Sequence, residues 1–137
     1  MKQAILVNMK RCTGCWTCAM ACKVAHELEA DEWWQIVRTL GNGAGFDEPG
    51  GVYPDCYMEW MPTYTTKCIQ CADRIKEGLK PYCVYNCPAM ALTSGDLDDP
   101  ESDISTRMAD LKDKGFHIFQ LPAWEQTRKN IYYANKR

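Results

Sequence analysis

Eight of the nine cysteines in this 137-residue chain fall into two runs of four. The first run, Cys12-x2-Cys15-x2-Cys18-x3-Cys22, lies in "RCTGCWTCAMACK". The second, Cys68-x2-Cys71-x11-Cys83-x3-Cys87, lies in "KCIQCADRIKEGLKPYCVYNCPAMAL". Both open with C-x-x-C and close with C-x-x-x-C, so the chain carries an internal repeat that differs only in its middle loop. Buried structural thiols would not produce two matched runs. All-cysteine zinc sites commonly use two C-x-x-C pairs, whereas three cysteines on one tight loop with a distant fourth is the arrangement of a 4Fe-4S cubane. The spacing therefore predicts two 4Fe-4S clusters. All eight ligand positions hold cysteine, so a three-iron cluster is not indicated.

The closing spacing sets the wiring. Three neighbouring thiolates can hold three irons of one cubane, but a cysteine about one helical turn further on points elsewhere, and in two-cluster proteins it ligates the other cluster. Cys12, Cys15, Cys18 and Cys87 then form the first site, and Cys68, Cys71, Cys83 and Cys22 the second. Neither half can complete a cluster alone, so the two halves fold as one unit. Pro88 after Cys87 fits the C-P ending of such runs, and Lys23 after Cys22 departs from it.

Other chemistry-bearing residues are few. Cys56, in "GVYPDCYMEW", lies outside both runs and reads as a free, partly buried thiol behaving as a small hydrophobe. Trp16, between two ligands, can exclude water from the first cluster or simply pack over it. Lys10, Arg11, Lys23 and Arg74 stand near ligands in sequence, where cations would favour the more negative reduced state and raise the potential; solvated surface charges are the alternative. His26 and His117 lack ligand spacing and read as ordinary surface or core histidines. There is no nucleophile elbow and no further carboxylate and histidine metal set. "GNGAG" at 41–45 resembles a phosphate loop only superficially, because "FDEPGG" after it reads as turns. No catalytic residue is assigned: the chain is expected to carry electrons while the chemistry happens elsewhere.

The elements that must position these thiols are short. "AILVNM" and "MALTSG" read as strands entering the first loop and leaving the second, and "KVAHELEA" after Cys22 reads as helix. Residues 98–114 offer Ser102 as an N-cap with Ile104, Met108 and Leu111 at helical spacing, a short amphipathic surface helix. "KNIYYAN" reads as a last strand. The fold class is α+β in one domain, 1–137: a ferredoxin-like two-cluster core over about 1–30 and 64–97, an insertion over 31–63 and a C-terminal extension over 98–137.

Sixteen basic and eighteen acidic residues, net charge -2, with no long single-sign run, argue against a nucleic-acid partner. No apolar run approaches the roughly 18 residues of a membrane span, so direct membrane insertion is not expected. "MKQAILVNMKRC" has neither a secretory apolar region nor a twin-arginine pair, and the odd cysteine count argues against a secreted disulfide framework. A cytoplasmic location is expected, or export only as a complex on a partner's signal.

A bare two-cluster core needs about 55–60 residues. Here 45 residues separate Cys22 from Cys68 and 50 follow Cys87. They carry Trp33, Trp34, Tyr53, Tyr57, Trp60, Tyr64, Trp124, Tyr132 and Tyr133, which suit either extra core over the clusters or a docking surface. "RCTGCWTCAMACK" resembles the first cysteine motif of the iron-sulfur electron-transfer subunits of dimethyl sulfoxide reductase-type molybdopterin enzymes. "KCIQCADRIKEGLKPYCVYNCPAMALTSGDLDDPES" resembles that family's fourth, and "LPAWEQTRKNIYY" loosely matches its closing segment. Typical members carry four motifs; the second and third, which pair with each other, are absent here. The resemblance implies a shortened wire: a large molybdopterin-containing catalytic subunit (molybdenum or tungsten) on the side of the first cluster, and a soluble electron donor or acceptor on the side of the second. A free-standing soluble ferredoxin with two clusters is the main alternative, and a structural or maturation factor with redox-inert clusters is a third.

Overall fold

The computed structural model describes residues 1–40, 49–122 and 128–136. In chain order it contains β1 (Gln3–Asn8), α1 (Thr17–Ala25), β2 (Gln35–Leu40), β3 (Glu59–Tyr64), α2 (Ala72–Lys76), α3 (Tyr82–Tyr85), β4 (Leu92–Asp96), α4 (Asp103–Asp113), β5 (His117–Phe119) and β6 (Ile131–Asn135). Four strands form one sheet in the order β4-β1-β6-β5, and β2 pairs with β3 in a separate antiparallel ribbon. β1 runs antiparallel to β4 and parallel to β6, with Ile5 opposite Ser94 on one side and Ile131 on the other.

The near-continuous apolar run of β1 follows from burial on both faces. Successive side chains alternate across the sheet. Ala4 and Leu6 therefore join Ile104, Leu111 and Ala134 beneath α4. Ile5 and Val7 face the other way, into a core shared with Cys18, Val37, Tyr64, Cys83 and Tyr133. One face of the sheet is thus the floor under the thiols, and the other is held by α4.

The Ser102 cap forms as expected, with Ser102 Oγ accepting from the Ser105 N–H at 3.3 Å. The helix is more than a surface element, since Ile104 and Leu111 are buried. Gly95 on β4 permits this approach: a Cβ there would meet Ile104 Cγ2 at 3.0 Å.

Two expectations need correction. The helix expected over "KVAHELEA" is instead Thr17–Ala25, so it holds Cys18 and Cys22 and ends where Glu27 turns to positive φ (53°). Lys23 helps stop it, curling its ammonium onto the carbonyls of Glu29, Ala30 and Glu32 and over the Trp33 ring. The C-terminal segment does more than extend a finished core, because β6 lies between β1 and β5 inside the sheet. From β6, the buried Tyr133 hydroxyl donates to the Pro62 carbonyl of β3 at 2.6 Å and ties the sheet to the β2–β3 ribbon. "GNGAG" and Trp124 lie outside the described residues. Among the described residues, no helix is long and apolar enough to cross a membrane.

Candidate metal centres

Cys18 and Cys22 sit four residues apart on α1, on nearly the same face and displaced by about 6 Å along the axis. α1 packs against α3, which holds Cys83, and Cys87 follows just after the Asn86 cap. Each helix, counted with the turn that ends it, sends one thiol to each of two cavities. Cys12, Cys15, Cys18 and Cys87 line the first, beside Trp16, Val37, Pro62 and Pro88. Cys22, Cys68, Cys71 and Cys83 line the second, beside His26, Trp34, Gln35, Tyr64 and Gln70. The eight thiols are thus brought together in the two crossed quartets. Among the described residues, no three His, Cys, Asp or Glu side chains close on a single metal ion; the thiols stand around cavities instead.

The loops around the thiols turn inward by left-handed residues: Gly14 (φ 71°) and Trp16 (63°) in the first, Gln70 (52°) and Cys71 (52°) in the second, and Met90 (54°) after Cys87. Left-handed conformations at non-glycine residues cost about 1–3 kcal/mol each and cluster at functional sites. Their effect here is to aim backbone donors at sulfur. The Gln70 N–H donates to Cys68 Sγ and the Ala91 N–H to Cys87 Sγ, both at 3.4 Å. At Gly14 a side chain is barred outright, because a Cβ would lie 2.5 Å from the Trp60 indole.

Burial pushes the Cys18 and Cys22 thiols up to about 12. Cys12, Cys68 and Cys71 are raised for the same reason, and Cys83, deepest of the eight, is raised well above its ordinary value. Neighbouring thiols within each quartet add to the shift at Cys12, Cys18, Cys22, Cys68 and Cys83. Exposed Cys15 is the exception, lowered by its 3.2 Å hydrogen bond with the Thr17 hydroxyl and by the Thr17 N–H. Four buried thiols and two partly buried ones, Cys12 and Cys68, in two groups form sites for positive charge, since a metal binds thiolates and must displace their protons.

The surroundings of the second cavity were not legible as such in the sequence. His26 Nε2 lies 3.7 Å from Cys71 Sγ, and its ring stacks on Trp34 at 4.7 Å; burial lowers its pKa. The buried Tyr64 hydroxyl is 3.6 Å from Cys83 Sγ. Arg128 stands beside Cys68 and Arg74 beside Cys71, each opposing the upward push of burial. Of the other cations noted near ligands, Lys10 pairs with Glu59 at 3.1 Å and Lys23 is taken up by carbonyls. Trp16 meets Trp33 edge-on at 5.5 Å beside the first cavity. Cys56 is exposed instead of partly buried; its neighbours Val52 and Tyr53 are exposed too, so the turn offers it no apolar wall. His117 lies exposed on β5.

Residues 49–97 match the 4Fe-4S dicluster domain family, a span that includes the second run but not the first. The chain is 30% identical to a putative dimethyl sulfoxide reductase iron-sulfur subunit of Halobacterium salinarum, over 96% of this chain and 78% of that protein. It is 31% identical to the arsenate respiratory reductase iron-sulfur subunit of a Shewanella species, over 73% of this chain and 51% of the relative. To a sulfite dehydrogenase subunit of Allochromatium vinosum it is 26% identical, over 97% and 44%. The chain thus spans about half or less of the length of these last two relatives.

Proposed function

The chain belongs to the family of iron-sulfur subunits of dimethyl sulfoxide reductase-type oxidoreductases, and from that premise we propose that it holds two 4Fe-4S clusters and relays electrons between a molybdopterin catalytic subunit and an external redox partner. The observation that carries this reading is the sorting of eight thiols into two crossed quartets around separate cavities, with α1 and α3 each contributing to both. Bound there, a 4Fe-4S cluster accepts and gives up one electron. The chain's residues do the rest: Cys12, Cys15, Cys18 and Cys87 would hold the first cluster, and Cys68, Cys71, Cys83 and Cys22 the second. The sharing of two short helices keeps the centres close.

The donor set fits such clusters. Four thiols, inward-turned loops, N–H groups on sulfur and largely apolar walls are what a cubane requires. The subunit role, as opposed to a freely diffusing carrier, is supported by apolar exposure near the first cavity. Exposed Trp16 lines it, and exposed Met90 lies in sequence between its lining residues Ala89 and Ala91; Met20 and Val24 also face solvent elsewhere on α1. Such surface suits burial against a larger partner. The first cluster would face the catalytic subunit, and the second a soluble donor or acceptor.

Anaerobic native purification followed by metal analysis tests the reading. About eight irons and eight acid-labile sulfides per chain are expected, with a much larger chain that contains molybdenum or tungsten. Stoichiometric zinc without sulfide would overturn the cluster assignment. A solitary 15.7 kDa protein with two reversible clusters would replace the subunit role by that of a free ferredoxin.

A further inference from the structure

The two cavities differ in what else lines them. Around the first, the other side chains are mostly carbon, including Val37, Pro62, Pro88 and Leu92, and its Cys15 reaches solvent. The second is enclosed by Cys22, Cys71 and Cys83, all buried, and is flanked by two glutamines, Gln35 at 1% exposure and Gln70 at 4%. Neither glutamine has a hydrogen-bond partner for either of its amide atoms. Native interiors rarely leave buried amides unpaired. Two of them beside one thiol quartet mark donors built for something in that cavity.

We propose that the side-chain amides of Gln35 and Gln70 are hydrogen-bond donors to the sulfurs of the second cluster, and that they hold its reduction potential up against the desolvation of its site. The inference rests on the two-cluster reading above. Reduction would add one negative charge to the bound cluster in a place largely closed to water, with Cys22, Cys71 and Cys83 buried and Cys68 partly so. A fixed N–H dipole interacts more strongly with that charge in a low-dielectric interior than the same dipole would in water. The first site has solvent and the Thr17 hydroxyl at Cys15 for this purpose. At the second, Tyr64 and the Gln70 backbone N–H contribute at Cys83 and Cys68. The step assisted would be a single electron transfer between the two clusters, one being oxidised as the other is reduced. No bond is made and no proton moves. Gln35 and Gln70 would act on that equilibrium directly, through their N–H groups.

The test is an anaerobic redox titration of the loaded full-length protein, monitored by electron paramagnetic resonance, for wild type, Gln35→Met and Gln70→Met. Methionine keeps the shape of glutamine and lacks the N–H. Each variant should disfavour reduction of the second cluster at least tenfold, which is a fall of about 59 mV for a one-electron couple. The first cluster should not move. Where a variant does not load, wild-type protein carrying side-chain 15N-glutamine supplies the readout: the reduced second cluster should show 15N hyperfine coupling. Fully loaded variants with unmoved potentials, or wild type without that coupling, would overturn the inference. Wild-type protein lacking a second cluster is recognised from iron content alone, and it would overturn the two-cluster reading first.

Discussion

Crossed ligation can be tested by sorting eight single variants into classes. Each candidate ligand is replaced by alanine, and the surviving intact cluster is characterised by its spectrum and midpoint potential. Cys22 lies four positions after Cys18 on α1, which is about 6 Å of rise and about 400° of rotation, a net offset of about 40°. The two thiols therefore leave the same face but reach different cavities, Cys18 beside Cys12 and Cys87, Cys22 beside Cys68 and Cys71. Loss of one thiolate should lower the iron content from about eight to about seven where a three-iron cluster persists, or to about four where the cubane is lost. Cys22→Ala should leave the same surviving cluster as Cys68→Ala, Cys71→Ala and Cys83→Ala. Cys87→Ala should fall with Cys12→Ala, Cys15→Ala and Cys18→Ala. Mössbauer and electron paramagnetic resonance spectra of anaerobic samples separate the classes. Crossed ligation is refuted if Cys22→Ala groups with the Cys12 variant and Cys87→Ala with the Cys68 variant, since each run would then close its own cluster.

Gly14→Ala should destabilise the protein by about 2–5 kcal/mol, combining a left-handed φ with a Cβ driven into the Trp60 ring, and should empty the first site before the second; thermal unfolding and iron counts measure it. Tyr133→Phe leaves the buried Pro62 carbonyl without its donor and should cost about 1–3 kcal/mol in urea unfolding, with both cluster spectra unchanged. Ser102→Ala removes the α4 cap and should cost about 1 kcal/mol, again without altering the clusters. Metal loading of the apoprotein should strengthen with pH. Burial pushes the Cys18 and Cys22 thiols up to about 12, so each thiolate formed on binding releases a proton, and acid competes. Cobalt(II) affinity, followed by thiolate charge-transfer absorption, should rise by about tenfold per pH unit for each buried thiol deprotonated, and an affinity flat between about pH 6.5 and 8.5 would contradict the proton-holding sites.

What the residues alone could determine was local or periodic. The repeated cysteine spacings named the eight thiols and their crossed grouping, because the offset of i and i+4 positions on a helix is a property of the backbone. The Ser102 cap and the Ile104, Met108, Leu111 spacing placed α4 within a residue or two for the same reason. The alternation of β1 also resides in the chain itself, with Ile5 and Val7 on one side and Ala4 and Leu6 on the other. Tertiary structure decided everything that depends on contacts distant in sequence. β6 pairs with β1 across more than a hundred residues, and no signal in "KNIYYAN" distinguishes an interior parallel strand from an edge. His26, Gln35, Tyr64, Gln70 and Arg128 gather around one cavity from separate stretches of chain. Their polar groups have meaning only once the fold removes water from them, since the same glutamine in solvent is a hydrated surface residue and between Cys68 and Cys71 it is a buried amide in the wall of a thiol-lined cavity.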